Sequence, residues 1–342
     1  MRDVILSITG LETLYRTGKK EVKALRNLDL EVRRGETLAL VGESGSGKST
    51  LGLSILRLIE NPNEISKGKI IFNDSDGDIS ILDLSLPEIR KFRWKKISMI
   101  FQSAMNVLNP IARIEDQFID TFQAHEIEGD YSELINHYLE ISGLGQNVRR
   151  LYPHQLSGGM KQRVNIALAL SCEPDILIAD EPTTALDVVV KKEVLLELNR
   201  LKNDLNLSII FITHDLRVAS AIADRIGIFY AGRIVEIGKK EDVIKHPSHP
   251  YSKLLLSSII TTKTPKNSVL ITLSGSPPDL GFPIRGCSFY PRCPVHETKC
   301  LSFTEEETKV SEDHFVECIK PGAEVKGFSS KLKELEADGK IN

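Results

Sequence analysis

Gly42-Glu43-Ser44-Gly45-Ser46-Gly47-Lys48-Ser49-Thr50 is the stretch that decides the fold. It fits the pattern of a glycine, any four residues, Gly-Lys and then Ser or Thr, and it lies between two stretches of different period. ETLALVG at 36–42 reads as a buried strand, and STLGLSILRLI at 49–59 carries Leu and Ile at helical spacing. Strand, glycine turn and helix in that order let the backbone N–H groups of Ser44 to Gly47 converge on phosphate oxygens. The helix N-terminus adds roughly half a positive charge there, Lys48 adds a full one, and Ser49 and Thr50 bring hydroxyls, that of Ser49 suited to Mg²⁺. The motif specifies nucleotide binding. It does not choose among kinases, GTPases, helicases and transport ATPases.

Downstream, Ile176-Leu177-Ile178-Ala179 leads into Asp180-Glu181, which puts two carboxylates at the carboxyl end of a second buried strand. There Asp180 is suited to hold Mg²⁺ through water, and Glu181 to polarise the attacking water of an in-line phosphoryl transfer. LSIIFIT at 207–213 predicts a third strand of the same sheet, ending at His214, which is placed to reach the γ-phosphate or to orient Glu181. Strand and helix patterns alternate from 175 to 230, and such alternation implies a mostly parallel sheet covered by helices. YAGRIVEIG reads as a hairpin turning at Ala231-Gly232. Before the phosphate loop, VILSITGLETLY and the runs up to Val32 read as strands of an N-terminal antiparallel β subdomain. Residues 67–102 read as short β-like runs ending in ISMIF, and a helical subdomain is expected over about 103–170. Past Gly238 the composition shifts, so we place a boundary near 240: a nucleotide-binding domain over 1–240 and a C-terminal region over 241–342.

The chain has 342 residues, 41% of them hydrophobic and 27% charged, enough for a sizeable core and against wholesale disorder. Its net charge of −3 shows no basic excess, so no nucleic-acid partner is expected. Nowhere does it run about 18 uncharged apolar residues, and its first residues carry charges, so a soluble cytoplasmic protein is expected.

Leu156-Ser157-Gly158-Gly159-Met160-Lys161-Gln162-Arg163 is the string at which the chain resembles the ATP-binding cassette family. The resemblance implies a head-to-tail dimer sandwiching two ATP molecules, in which Ser157, Gly158, Gly159 and Gln162 face the γ-phosphate held by the neighbour. It further implies that Tyr15 stacks on adenine and that Gln102 reports on the γ-phosphate and Mg²⁺. Asp187 matches the dimer-contacting aspartate, and His214 the switch histidine. All these positions are intact, so the resemblance implies a hydrolysing site, with Glu181, His214 and Lys48 carrying the chemistry and Ser49, Gln102 and Asp180 holding Mg²⁺.

Four of the five cysteines, Cys287, Cys293, Cys300 and Cys318, crowd into one module over 287–318. The candidates are a 4Fe–4S cluster, a zinc site, two disulfides or four free thiols. Irregular spacing without a short CxxC pair, and the Cys-Pro step at 293–294, favour the cluster over zinc, and contact with cytoplasmic ATP disfavours disulfides. Tyr152-Pro153-His154-Gln155, His249-Pro250-Tyr251, Gly275-Ser276-Pro277-Pro278 and FYPRCP at 289–294 resemble the ATPase subunits of the oligopeptide, dipeptide and nickel permeases. That resemblance spans nearly the whole chain and implies an importer of peptides. Its parts would be a second ATPase subunit, identical or homologous, two membrane permeases and an extracytoplasmic solute-binding protein. Oligosaccharide or nickel import is the alternative cargo, and a non-transport cassette with a redox-sensing cysteine module the alternative class.

Overall fold

The computed structural model describes residues 3–18, 20–102, 107–259, 273–304 and 306–337. Its elements run β1 (Val4–Thr17), β2 (Lys20–Arg33), β3 (Thr37–Val41), α1 (Lys48–Ile55), β4 (Glu64–Asp74), β5 (Gly77–Ser80), α2 (Leu86–Lys95) and β6 (Ile97–Ile100). Three helices follow, α3 (Ile114–Ala124), α4 (Tyr131–Ile141) and α5 (Gly158–Leu170). Then come β7 (Ile176–Asp180), α6 (Val188–Asp204), β8 (Ser208–Thr213), α7 (Leu216–Ile222), β9 (Arg225–Tyr230) and β10 (Arg233–Lys239). The C-terminal region carries α8 (Lys240–Lys245), α9 (Pro250–Ser257), β11 (Thr308–Ser311), β12 (His314–Val316) and α10 (Phe328–Ala337).

The apolar runs form the central sheet. β3, β6, β7, β8 and β9 are buried at every position, as strands covered on both faces must be. They lie in the order β9-β3-β8-β7-β6 and pair in parallel. Side chains alternate between the two faces. Ala39, Val41, Leu177, Ala179, Ile209 and Phe211 join one core with α3, α4 and α5, whereas Leu38, Leu40, Ile176, Ile178, Ile210 and Ile212 join the other with α1 and the N-terminal strands. Those N-terminal strands form a separate antiparallel sheet, β2-β1-β4-β5, as expected. The hairpin of β9 and β10 turns at Ala231 and Gly232, both with positive φ, in agreement with the sequence.

One segment differs from expectation. Within 67–102, Leu86–Lys95 is helical and not β-like. Ser85 and Glu88 form a capping box with Pro87 in the first turn, and only Ile89 and Phe92 are buried, so the helix carries too little apolar periodicity to stand out. The terminal helix α10 packs against the C-terminal region: Phe328, the stem of Lys331 and Leu335 are buried, and Lys253 on α9 lies 5.7 Å from the centroid of the Phe328 ring. In the C-terminal region, β12 pairs with β10 and β11 with β12, so the last strands extend the central sheet at its edge.

Candidate functional site

The carboxyl ends of β3, β8, β7 and β6, four consecutive neighbours, supply the residues that the sequence singled out. In an open α/β sheet that edge is where ligands bind. A cavity of about 880 Å³ opens there, lined by Gly42 to Thr50, Gln102, Glu181, Thr184 and His214. The phosphate loop follows β3, and its close approach to β9 and β2 demands glycine. A Cβ at Gly42 would lie 2.1 Å from the Phe229 carbonyl oxygen, and one at Gly47, where φ is 111°, 2.5 Å from the Ala24 carbonyl oxygen. Lys48 opens α1 and folds back on the loop, its Nζ donating to the carbonyls of Gly42 and Glu43 at 2.8 Å each and to Ser46 Oγ at 3.1 Å. Burial pulls its pKa down to about 8, against the opposing charges of Glu181, Asp180 and Glu43.

Asp180 ends β7 and shares a hydrogen bond with the Ser49 side chain, while its Oδ1 is buried without a hydrogen-bond partner. Burial raises its pKa, and the neighbouring Glu181 adds to the rise. A buried carboxylate oxygen left unpaired beside a hydroxyl is an oxygen donor set of the kind Mg²⁺ takes, so Ser49 and Asp180 fit the ion. Gln102 lines the same cavity just beyond β6. Glu181 follows in the left-handed region, φ 50°, with its N–H donating to the Ile212 carbonyl at 2.9 Å. His214 Nδ1 lies 2.6 Å from its Oε1, and the Thr184 hydroxyl donates to its Oε2 at 2.7 Å. The carboxylate is thus held at both oxygens. Thr184 was missed in the sequence, although its place three residues beyond Glu181 is the signal for a return contact across a turn.

The remaining expected residues lie elsewhere in the chain. Tyr15 pairs with Val22 across β1 and β2, and the cavity wall there is Val22 and Ala24. Ser157 caps α5, accepting from the Met160 N–H at 3.3 Å, and Gly158 and Gly159 form its first turn. Gly159 lies so close to α6 that a Cβ would sit 2.8 Å from Val190. Gln162 is buried with its Nε2 unpartnered. Asp187 caps α6, accepting from the N–H groups of Val189 and Val190 at 3.0 Å each. None of these lines the phosphate cavity.

From the C-terminal region, Leu255, Pro277 and Leu280 line that cavity, a contribution the sequence did not announce. The four clustered cysteines all carry free thiols and together line a cavity of about 20 Å³. Each sulfur has a backbone N–H directed at it: Phe289 to Cys287, Val295 to Cys293, Glu297 to Cys300 and Lys320 to Cys318. Burial raises the pKa of Cys287 to about 12 and of Cys293 to about 11, and the other thiols of the cavity add to both shifts. Among the described residues no three His, Cys, Asp or Glu side chains stand close enough to hold a single metal ion. Nor, among them, is any helix long and apolar enough to cross a membrane.

Comparison with known proteins agrees with this geometry. A family model described as ABC transporter matches residues 25–184, and one described as the C-terminal region of oligopeptide/dipeptide transporters matches 235–300. The dipeptide transport ATP-binding protein DppD of Bacillus subtilis is 40% identical over 320 residues, 92% of this chain and 94% of that protein. The oligopeptide transport ATP-binding protein OppD of Escherichia coli is 38% identical over 327 residues, 94% and 95% of the two chains. Among solved structures, a dimeric bacterial ABC transporter cassette superposes with a TM-score of 0.61 at 28% identity, over 69% of this chain and 98% of that one. A cassette of Clostridium perfringens, described as part of an ABC transporter complex, gives 0.60 at 28% identity over 72% and 92%.

Proposed function

The chain belongs to the ATP-binding cassette transporter family, and from that membership we propose that it is the ATP-hydrolysing subunit of a peptide importer. The observation that carries the catalytic part is Glu181, held between His214 and Thr184 at the mouth of the phosphate cavity. The phosphate loop and Lys48 bind the triphosphate and orient it along the sheet edge. An ionised Glu181 is acceptor-only, so His214 Nδ1 carries the proton of their contact and the imidazole orients the carboxylate. Glu181 then takes a proton from a water in line with the γ-phosphorus as the new P–O bond forms. The bond to the β,γ-bridging oxygen breaks, giving ADP and phosphate. Ser49, Asp180 and Gln102 would hold Mg²⁺, which neutralises charge developing on the phosphate oxygens.

Ser157, Gly158, Gly159, Gln162 and Asp187 lie away from the chain's own cavity, which supports a role toward a second ATPase subunit, identical or homologous. Tyr15, one strand over from Val22, is proposed as the adenine stack. Two permease subunits would bind the helical subdomain, an extracytoplasmic binding protein would deliver cargo, and the chain would sit at the cytoplasmic face of the membrane. The match of its C-terminal region to peptide transporters supports peptide over oligosaccharide or nickel cargo. For the cysteine module we propose a 4Fe–4S cluster over Zn²⁺. N–H groups directed at all four sulfurs suit ligating thiolates. Anaerobic purification with metal analysis separates the two: about four irons and absorption near roughly 400 nm, or about one zinc and no colour.

The decisive experiment is reconstitution of the full transporter in vesicles, with uptake of labelled di- and oligopeptides, an oligosaccharide and Ni²⁺ measured beside ATP turnover. Peptide uptake that stops with Glu181→Gln is expected. Uptake of another cargo would leave the ATPase reading intact and overturn the peptide assignment, and unchanged turnover in Glu181→Gln would overturn the catalytic one.

A further inference from the structure

Glu43 places a carboxylate inside a loop that binds a polyanion, and it lines the phosphate cavity. Its counter-charge comes from a residue 249 positions away in sequence. Arg292 Nη1 donates to Glu43 Oε2 at 2.6 Å and Nη2 to Glu43 Oε1 at 3.0 Å, a two-pronged pair of the strongest kind available between side chains. The Arg292 side chain is only 4% exposed. Its Nε donates to the Ser274 carbonyl at 3.0 Å and its guanidinium lies 5.7 Å from the Tyr230 ring centroid, so the C-terminal region and β9 fix the fork before it meets the loop. The main chain of Glu43 is tied down as well. Its N–H donates to Tyr251 Oη at 3.2 Å, and its carbonyl accepts from Lys48 Nζ at 2.8 Å. Tyr230, Tyr251 and Phe289 pack ring to ring beneath this pair, with centroids 4.6 to 5.3 Å apart. The turn Tyr290–Arg292 thus sends Phe289 into the core and Arg292 to the phosphate loop, while Cys293 faces the thiol cavity.

We propose that Arg292 is a positioning residue of the ATP site: by pairing with Glu43 it neutralises a carboxylate of the phosphate loop and holds it away from the bound phosphates. The C-terminal region thereby completes the nucleotide site of its own chain. An unpaired Glu43 would repel the triphosphate at short range, where screening by salt is weak. The proposal rests on the cavity being the ATP site. A Lys48→Ala control that abolishes binding to the otherwise wild-type chain tests that reading separately.

The test is titration calorimetry of the full chain with ADP and a non-hydrolysable ATP analogue, each with Mg²⁺, at two salt concentrations and with thermal unfolding in parallel. Arg292→Gln is expected to weaken nucleotide affinity by about five- to fiftyfold, the usual range for two coupled groups, and more for the triphosphate than the diphosphate. Glu43→Gln in the same chain should return affinity to within about threefold of wild type, since the repelling charge is gone. Arg292→Lys keeps the charge without the fork and should fall between. It carries the test should Arg292→Gln fail to fold, because its own deficit must also be relieved by Glu43→Gln. Wild-type affinity in both Arg292 variants, or a deficit that Glu43→Gln leaves in place, overturns the proposal; the second result would make Arg292 a packing residue only.

Discussion

Two residues of the site have charges whose consequences are measurable one at a time. Glu181 is held at one oxygen by His214 and at the other by Thr184. Replacing it by Gln keeps volume and hydrogen bonding but removes the proton acceptor, so turnover should fall by about 10²–10⁴ while nucleotide affinity stays within a few-fold. Single-turnover kinetics beside equilibrium titration checks both halves. Lys48 titrates near 8 in the free chain because burial disfavours its charged form. Bound phosphates favour that form, so above about pH 8 binding must take up a proton, and affinity should fall up to about tenfold per pH unit. The same group has the opposite effect on folding. Between about 8 and the ordinary lysine value of 10.5 the unfolded chain binds more protons than the folded one, so its contribution to stability rises with pH while nucleotide affinity falls. Calorimetry in buffers of different ionisation enthalpy reads the proton uptake directly.

Elements show which of these placements the sequence could announce. The strands ending at Val41, Asp180 and Thr213 are buried on both faces, so they appear as unbroken apolar runs that mark the residues just beyond them as a candidate site. Helix α2 was not legible by period, since Arg90, Lys91, Arg93 and Lys95 outnumber its two buried residues, though its Ser-Leu-Pro-Glu start was a usable signal. The Arg292–Glu43 pair had no local pattern to betray it, because it joins an irregular stretch to a loop 249 residues upstream. Asp187 was legible as a family position but not as the cap of α6. That second role predicts that Asp187→Ala lowers the stability of the isolated chain by about 1 kcal/mol, whereas Asp187→Asn, an equally good cap, does not. Chemical denaturation of the two variants separates them, and any loss of turnover in the Asn variant then reports on the dimer contact alone.

At the scale of the whole molecule, the proposed dimer rests on two groups of residues in one chain that do not meet. The phosphate loop, Glu181 and His214 share a cavity at the sheet edge, while Ser157 and Gly159 open α5 outside it. On the proposed pairing a nucleotide held by the first group is closed by another chain, and hydrolysis should be second order in protein at low concentration. Substituting Ser157 by Arg places a bulky cation at the start of α5, where a neighbour's triphosphate would arrive, and disturbs nothing in the chain's own cavity. The hydrogen bond from Met160 N–H to Ser157 Oγ is lost, a capping change of about 1 kcal/mol that the chain should tolerate. Expected for Ser157→Arg is a wild-type dissociation constant for ATP in the isolated chain together with loss of turnover at every protein concentration. Mixing it with the Lys48→Ala chain gives the sharper result if the pairing is between identical copies. In such a mixed pair one nucleotide meets an intact phosphate loop and an intact Ser157, so part of the turnover should return, although neither variant hydrolyses alone. Weakened ATP binding in isolated Ser157→Arg would mean that Ser157 serves its own chain's nucleotide, and the two half-sites would not belong to different subunits.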